Sequence, residues 1–475
     1  MATYAEQLAD FVCRLRLADV PEDVRRLVRL STMDNIGVIL AGQRTESAHL
    51  AVDWVRSWKG RPESTILGYK DKVPAHGAAF ANGVADHSIE LDDHIAHTRS
   101  LNHPGVTTFP VAFALAEKLG ASGEQLMLSA IAGYEVTSRI DATTTTPGLF
   151  TFQRGFHSSG ICGPYGAAAT AASLLGLNPE QLTNAFGICG STSAGSFEFN
   201  ATGSWTKRFH AGWAGQAGIT AAELARRGYT GPATIFEGRY GFFRSYAGDG
   251  NFNFESLTRN LGRDFEFRYI MYKPFSCAGM IHSPLTATLR LLREHDVEPD
   301  QIEGVIVKTS ENLIQQFTTP TELKTRPKTS VDAQFSLPYS VAALLTFKRA
   351  LTDEYSEKAI RNPKVLDLAA RVQCMSDPEL TRRWPKEEPS EVTLRLKDGT
   401  EYKAAVSHAK GSLGDPMTDD ELKDKFRFLS GGVLKETAVE RIIDIVADLE
   451  NLANVKSLIR VISNGSRGRM SRLNI

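Results

Sequence analysis

Near residue 270 the periodicity of the chain changes, and that change restricts the fold more than any other feature of its 475 residues. Before it, apolar residues recur at helical spacing. Pro21 stands where a first helical residue is tolerated, Val24, Leu27, Val28 and Leu30 follow on one face, and Gly42 closes the segment. In GPYGAAATAASLLGLNPEQL, Ala167 to Leu175 is rich in helix formers and Gly176 is a stop. Asn178, Pro179 and Gln181 then supply the N-cap, the first helical position and the capping-box partner of a second helix. A third helix is predicted over roughly Trp213 to Arg227, ending at Gly228, with Gly and Ala enough to let neighbours approach closely.

Beyond the change, Ile302 to Thr309 alternates and is β-branched, which predicts a strand. Val392 to Leu396 and Tyr402 to Val406, either side of Asp398-Gly399, predict a tight hairpin. Between these strands SLPYSVAALLTF is helix-like, and after AKGSLGDP the helical period returns with a Thr418/Glu421 capping box. The class is therefore mainly α: a helical body from residues 1–269 plus 409–475, with a smaller α+β segment, 270–408, inserted in it. The terminal NGSRGRMSRLNI is expected to fray at its end.

With 54 basic against 55 acidic residues, the chain has no global attraction for nucleic acid or an anionic membrane, so any functional positive charge is local. Cys13, Cys162, Cys189, Cys277 and Cys374 are scattered and form no CxxC pair, which argues against a disulfide framework or a zinc site and for a reducing compartment. The N-terminal MATYAEQLADF has neither a signal-peptide nor a transit-peptide pattern, and no run approaches the roughly 18 apolar residues of a membrane span. A soluble cytoplasmic protein without nucleic-acid or membrane partners is expected.

Five stretches combine polar groups with glycines. Glu90-Leu91-Asp92-Asp93-His94, continuing to His97, Arg99 and His103, sets carboxylates beside imidazoles, which can orient a ring and raise its basicity. The same residue types bind metals, but the spacing matches no standard ligand pattern, and a solvated polar loop is an equal alternative. Arg154-Gly155-Phe156-His157-Ser158 puts a histidine at a helix start, where it faces an anion or simply caps. The GxxGxxG of Gly160, Gly163 and Gly166 is not a dinucleotide fingerprint and reads as close helix packing. In GSWTKRFHAGW, Lys207 and Arg208 sit among small and apolar residues; cations so placed need a carboxylate, from a ligand or from within the chain, as from Glu198. Lys273 to Cys277, running on to His282, and Gln334 to Tyr339 are each structural on their own reading, and no base accompanies Cys277 as a nucleophile.

Taken in order, MDNIGVILAG, HGAAFANGVADHSIELDD, GFHSSGICGPYGAAATAASLLGL, GSWTKRFHAGWAGQAGITAAELARRGYTGP, KPFSCAGMIH, AQFSLPYSVAALL and KGSLGDPMTDDEL resemble the MmgE/PrpD family along nearly the whole chain. The resemblance implies a large helical domain made from both chain ends, an inserted α+β lid domain, and an active site between them. It further implies a cofactor-independent homodimer acting on a small polycarboxylate, as 2-methylcitrate dehydratase, cis-aconitate decarboxylase or iminodisuccinate epimerase does. The family pattern falls on Asp93, His103, His157, Lys207 and Tyr339 as catalytic residues, with Asp92, Arg208, Lys273 and His282 expected at the substrate and no metal. Aconitate decarboxylases of the family carry two histidines in the segment matching KPFSCAGMIH. Here the second is His282 and the first is replaced by Ala278, and the loop from Asp93 to His103 is longer.

These reactions share one difficulty, negative charge developing on carbon beside a carboxylate, which fixed cations and hydrogen-bond donors relieve. Dehydration of a 2-methylcitrate-like acid is the leading expectation, followed by decarboxylation, epimerisation and non-catalytic binding. His103, His157 or Lys207 would move the proton, Asp93 would orient a histidine or bond a substrate hydroxyl, and Tyr339 would donate to the anion.

Overall fold

The computed structural model describes residues 2–144, 153–468, 472 and 473. It is mainly α, and its apolar interior gathers into two large cores and one small cluster of Val38, Ala41, Ile89, Leu91, Leu429 and Leu473. The first is built from residues between Ala5 and Tyr272 together with Leu422 to Ile462, so both ends of the chain contribute to it. The second gathers residues from Phe275 to Val406, with Phe199 reaching in from outside that range.

At the centre of the first core lie helices Ala75–Asp86, Pro104–Leu119, Gly123–Ala142, Ser158–Leu175 and Thr206–Arg226, packed on one another. Small residues set their spacing. A Cβ at Gly160 would lie 2.4 Å from the Ala194 carbonyl oxygen, one at Gly163 2.7 Å from the Thr107 methyl, and one at Gly166 1.7 Å from Thr137 Oγ1. The glycine repeat thus serves helix contact. Helix Asp419–Gly431, capped by Thr418 and Glu421, returns to pack on Glu22–Gly42.

Local signals set most boundaries. Gly176 ends Ser158–Leu175 in the left-handed region at φ 66°, and Asn178 and Gln181 form the capping box of Pro179–Cys189. Pro21 is the N-cap of Glu22–Gly42 instead of its first helical residue. The third helix starts at Thr206, seven residues before the predicted Trp213, which brings Lys207 and Arg208 into its first turn. Of the tail, residues 469–471, 474 and 475 lie outside the described residues. Leu473 is anchored, its N–H donating to the Arg44 carbonyl at 2.7 Å.

In the second core a four-stranded sheet runs in the order Val372–Ser376, Ile302–Thr309, Ser390–Leu396, Glu401–Val406. The first pair is parallel and the others antiparallel, the last being the predicted hairpin, with Gly399 at φ 87° in its turn. Helices His282–Glu294 and Leu337–Phe347 cover it. A two-residue ladder ties the polar loop of the first core to the chain entering the second, pairing His94 with Met271 and Ile95 with Ile270.

Candidate active site

Three helix starts meet at one cavity. His103 is the N-cap residue of Pro104–Leu119, His157 is the N-cap residue of Ser158–Leu175, and Lys207 lies in the first turn of Thr206–Arg226. All three line a cavity with an empty volume of about 650 Å³, its mouth included. The rings of His103 and His157 are 6.4 Å apart at their centroids. Helix starts carry unpaired N–H groups and the positive ends of the helix dipoles, so their convergence favours an anion. Glu90, His94 and His97 complete the polar wall, while Ala278, Met280, Phe317 and Phe335 of the second core close the far side. The Lys207 ammonium sits 5.4 Å from the centre of the Phe335 ring.

Behind this wall is a chain of buried charges. Glu90 holds a left-handed backbone, φ 54°, which an ordinary side chain adopts only at a cost. One of its carboxylate oxygens pairs with Lys207 and the other lies 3.3 Å from Lys273 Nζ. Lys273 also lies 3.4 Å from Asp92 Oδ1, and Asp92 Oδ2 is 2.7 Å from His103 Nδ1 and 3.2 Å from His87 Nδ1. Burial alone would raise both carboxylates. Lys207 and Lys273 outweigh it at Glu90 and bring it to about 2, and Lys273 with the two imidazoles holds Asp92 well below its ordinary value. Burial draws Lys207 below the usual lysine range despite Glu90. Two cations face two carboxylates, so the protein neutralises its own cationic group before any acid arrives.

The imidazoles are kept neutral. Burial, reinforced by the nearby lysines, lowers His103 to about 4, and burial, with His210, His87 and Lys207 adding to it, lowers His157 well below the ordinary value. His103 Nδ1 also lies 3.1 Å from the Asp93 carbonyl oxygen, a pure acceptor, so Nδ1 carries the proton and the lone pair is on Nε2. That tautomer suits a general base.

Other expected residues are placed differently. Asp92 and Lys273 support the wall from behind without lining the cavity. The Asp93 carboxylate faces the protein interior: it accepts from the Tyr134 hydroxyl, and burial, with Asp34 and Asp92 adding to it, raises it to about 7. Arg208 is turned away from the cavity and donates to Ser47 Oγ at 2.9 Å, because neighbours on a helix point about 100° apart. The carboxylate partner of Lys207 is Glu90, and Glu198 is exposed. His282 Nε2 donates to the Cys277 carbonyl at 3.2 Å, leaving no imidazole from that segment at the cavity, where Ala278 stands. Tyr339 is buried in the second core with its hydroxyl on the Glu354 carbonyl at 2.8 Å, so it does not donate into the cavity. Conversely, Glu90 and His97 belong to the polar loop, carry no sequence signal of a site role, and line the cavity. Nothing local distinguishes Glu90 from Asp92 and Asp93; its partners are distant in sequence.

His87, Asp92 and His103 bring ligand-type atoms within 4.8 Å of one another. Lys273 already supplies a positive charge to the central carboxylate, so the donor set suits an ion-pair network better than a metal.

The sequence profile of the MmgE/PrpD N-terminal domain matches residues 6–255. That of the MmgE/PrpD C-terminal domain matches residues 275–451. Among curated proteins the chain is 27% identical to the cis-aconitate decarboxylase-like protein oryM of Aspergillus oryzae, over 96% of each chain. It is 26% identical to a cis-aconitate decarboxylase of Aspergillus terreus, over 96% of this chain and 95% of the relative. It is 27% identical to the human cis-aconitate decarboxylase, over 98% of this chain and 96% of the relative. Both domain profiles match in order around a cavity where three helix starts present two imidazoles and a lysine, and the chain belongs to the MmgE/PrpD family.

Proposed function

We propose that this MmgE/PrpD lyase acts on a small di- or tricarboxylate through a carbanionic state beside a carboxylate, and that it eliminates water from a 2-methylcitrate-like β-hydroxy acid. The observation that carries the reading is the convergence of His103, His157 and Lys207 on one cavity. His103, oriented by Asp92, takes the proton from the carbon next to a carboxylate. Lys207 and the helix starts stabilise the electron-rich carboxylate that results. His157 gives a proton to the departing hydroxyl, so one proton is taken, one is given and water leaves. All of these roles fall to groups of the chain itself.

A second reading, decarboxylation, is favoured by the cis-aconitate decarboxylase relatives. There carbon dioxide leaves, and His157 protonates the carbanion. Ala278, at the cavity in place of a histidine, weighs toward dehydration. The homodimer implied by the family resemblance and the cytoplasmic setting expected from the scattered cysteines and the N-terminal sequence belong to the same proposal, and sedimentation of the purified chain tests the first of them.

Proton NMR of a panel of di- and tricarboxylates incubated with the protein separates the outcomes: an alkene with loss of water, loss of carbon dioxide, or deuterium exchange without net change. Lys207→Ala and His157→Ala should each lower turnover on the order of 100-fold or more. No change in any acid would overturn the lyase reading, and near-normal activity in both variants would remove these residues from the chemistry.

A further inference from the structure

His157 lines the cavity, yet its Nδ1 edge is turned away from the polar wall and lies 3.1 Å from Nδ1 of His210. Two Nδ1 atoms at this distance share one proton, one ring donating and the other accepting. His210 is one turn along from Lys207 on helix Thr206–Arg226, but it does not line the cavity. Its remaining exposure, 6%, opens into a separate groove bordered by the exposed Ser191, Ser196 and Thr206. The wall between groove and cavity is thin. The His157 N–H donates to the Gly195 carbonyl at 2.9 Å, and a Cβ at Gly195 would come to 3.4 Å from His210 Nδ1.

We propose that His157 and His210 form a two-imidazole proton path between the solvent-filled groove and the reaction cavity, in which His210 supplies the Nδ1 proton that lets a neutral His157 release its Nε2 proton without becoming an imidazolate. The proposal rests on the reading of His157 as proton donor, since one proton leaves it in each turnover whether hydroxide or a carbanion receives it. In the loaded state His157 carries its proton on Nε2 and accepts from His210 Nδ1–H. When the Nε2 proton moves to the reacting group, the His210 Nδ1 proton passes to His157 Nδ1, and His210 Nε2 takes a proton from water. Once product has left, the tautomers are restored: a cavity water gives a proton to His157 Nε2 and its hydroxide takes the proton that His103 holds after an elimination, the shared proton returns to His210 Nδ1, and His210 Nε2 gives its proton to the hydroxide left in the groove. Electrons stay in place throughout and no co-reactant beyond water is needed.

Burial and the charge of Lys207 bring His210 to about 4, so the relay ring is neutral at rest and able to accept. The other groups facing the pair are His87, His103 and Lys207, which also disfavour a resting imidazolium at His157. A ring whose only task was packing would not need to bridge His157 and the groove.

The test uses the full-length protein on whichever acid the panel shows it to turn over. His210→Ala should lower kcat about 10- to 100-fold with KM within a few-fold, less than the roughly 100-fold or greater loss of a general acid itself because His157 remains in place. Imidazole added at millimolar concentrations should enter the vacated space from the groove and restore much of kcat in His210→Ala, with saturation and with no effect on the wild type. Unchanged kcat in His210→Ala, or a loss that imidazole does not relieve, would overturn the relay. If the wild type turns over no acid, the lyase reading fails by itself. The relay is then judged by nitrogen NMR of histidine-labelled protein, where it requires a coupling between the two Nδ1 atoms across a shared proton, and absence of that coupling sinks it.

Discussion

Asp92 Oδ2 lies 2.7 Å from His103 Nδ1, and this contact decides which edge of the imidazole meets a substrate. Asp92→Asn keeps the shape of the side chain and removes the charge that holds the ring. Turnover is expected to fall on the order of 100-fold with little change in KM, because an orienting group acts on the chemical step. Initial rates over a range of substrate concentrations check this. An unchanged kcat would place the base elsewhere.

The Glu90–Lys207 pair makes a prediction about stability. Both side chains are buried, and Glu90 also serves Lys273, so removing its charge leaves two buried ammonium groups with Asp92 alone. Breaking a buried pair from one side costs about 3–5 kcal/mol. Glu90→Gln should therefore lower the denaturant midpoint by a corresponding amount, whereas Lys207→Met, which leaves Glu90 with Lys273, should cost less. Equal midpoints for wild type and Glu90→Gln would show that the pair carries no net stability.

His282 supplies a pH signature away from the cavity. Burial, helped by Lys273, lowers it to about 3. An unfolded histidine titrates near 6.5, so between those values the unfolded chain binds more protons, and stability falls as pH falls through that window. In His282→Gln this loss disappears. The variant is expected to be less stable than wild type at pH 7.5, and the gap should narrow by about 2 kcal/mol on going to pH 5. Chemical denaturation at the two pH values measures it, and a constant gap would mean that the ring titrates normally in the fold.

Gly105 is fixed by the same loop. A Cβ there would lie 2.2 Å from Asp93 Oδ1 and 2.6 Å from Asn35 Oδ1, both in the packed interior. Gly105→Ala should displace Asp93, whose backbone carbonyl also meets His103. We expect about 1–3 kcal/mol of destabilisation from overpacking, together with reduced turnover. A variant with wild-type stability and rate would show that the loop yields freely.

The elements legible in the sequence are those whose cause is local. Caps at Asn178 and Thr418, the stop at Gly176 and the hairpin at Asp398-Gly399 each depend on a few neighbouring residues, and each is found. Among site residues, His103 and His157 share a local cause, since both stand directly before a helix. Adjacent pairs carry no such local signal. Asp92 and Asp93 are equivalent as a motif, as are Lys207 and Arg208, but each pair splits between the cavity side and the interior once the helices dock.

Glu90 finds Lys207 across 117 positions and Lys273 across 183, while Tyr339 and His282 spend their polar atoms on carbonyls inside the second core. By itself the sequence determined the helices, the hairpin and the set of groups that the chemistry draws upon. Tertiary structure alone decided which of those groups share a cavity. Side-chain direction follows from helix rotation and inter-element docking, and buried charge must be neutralised by whichever partner that docking brings near.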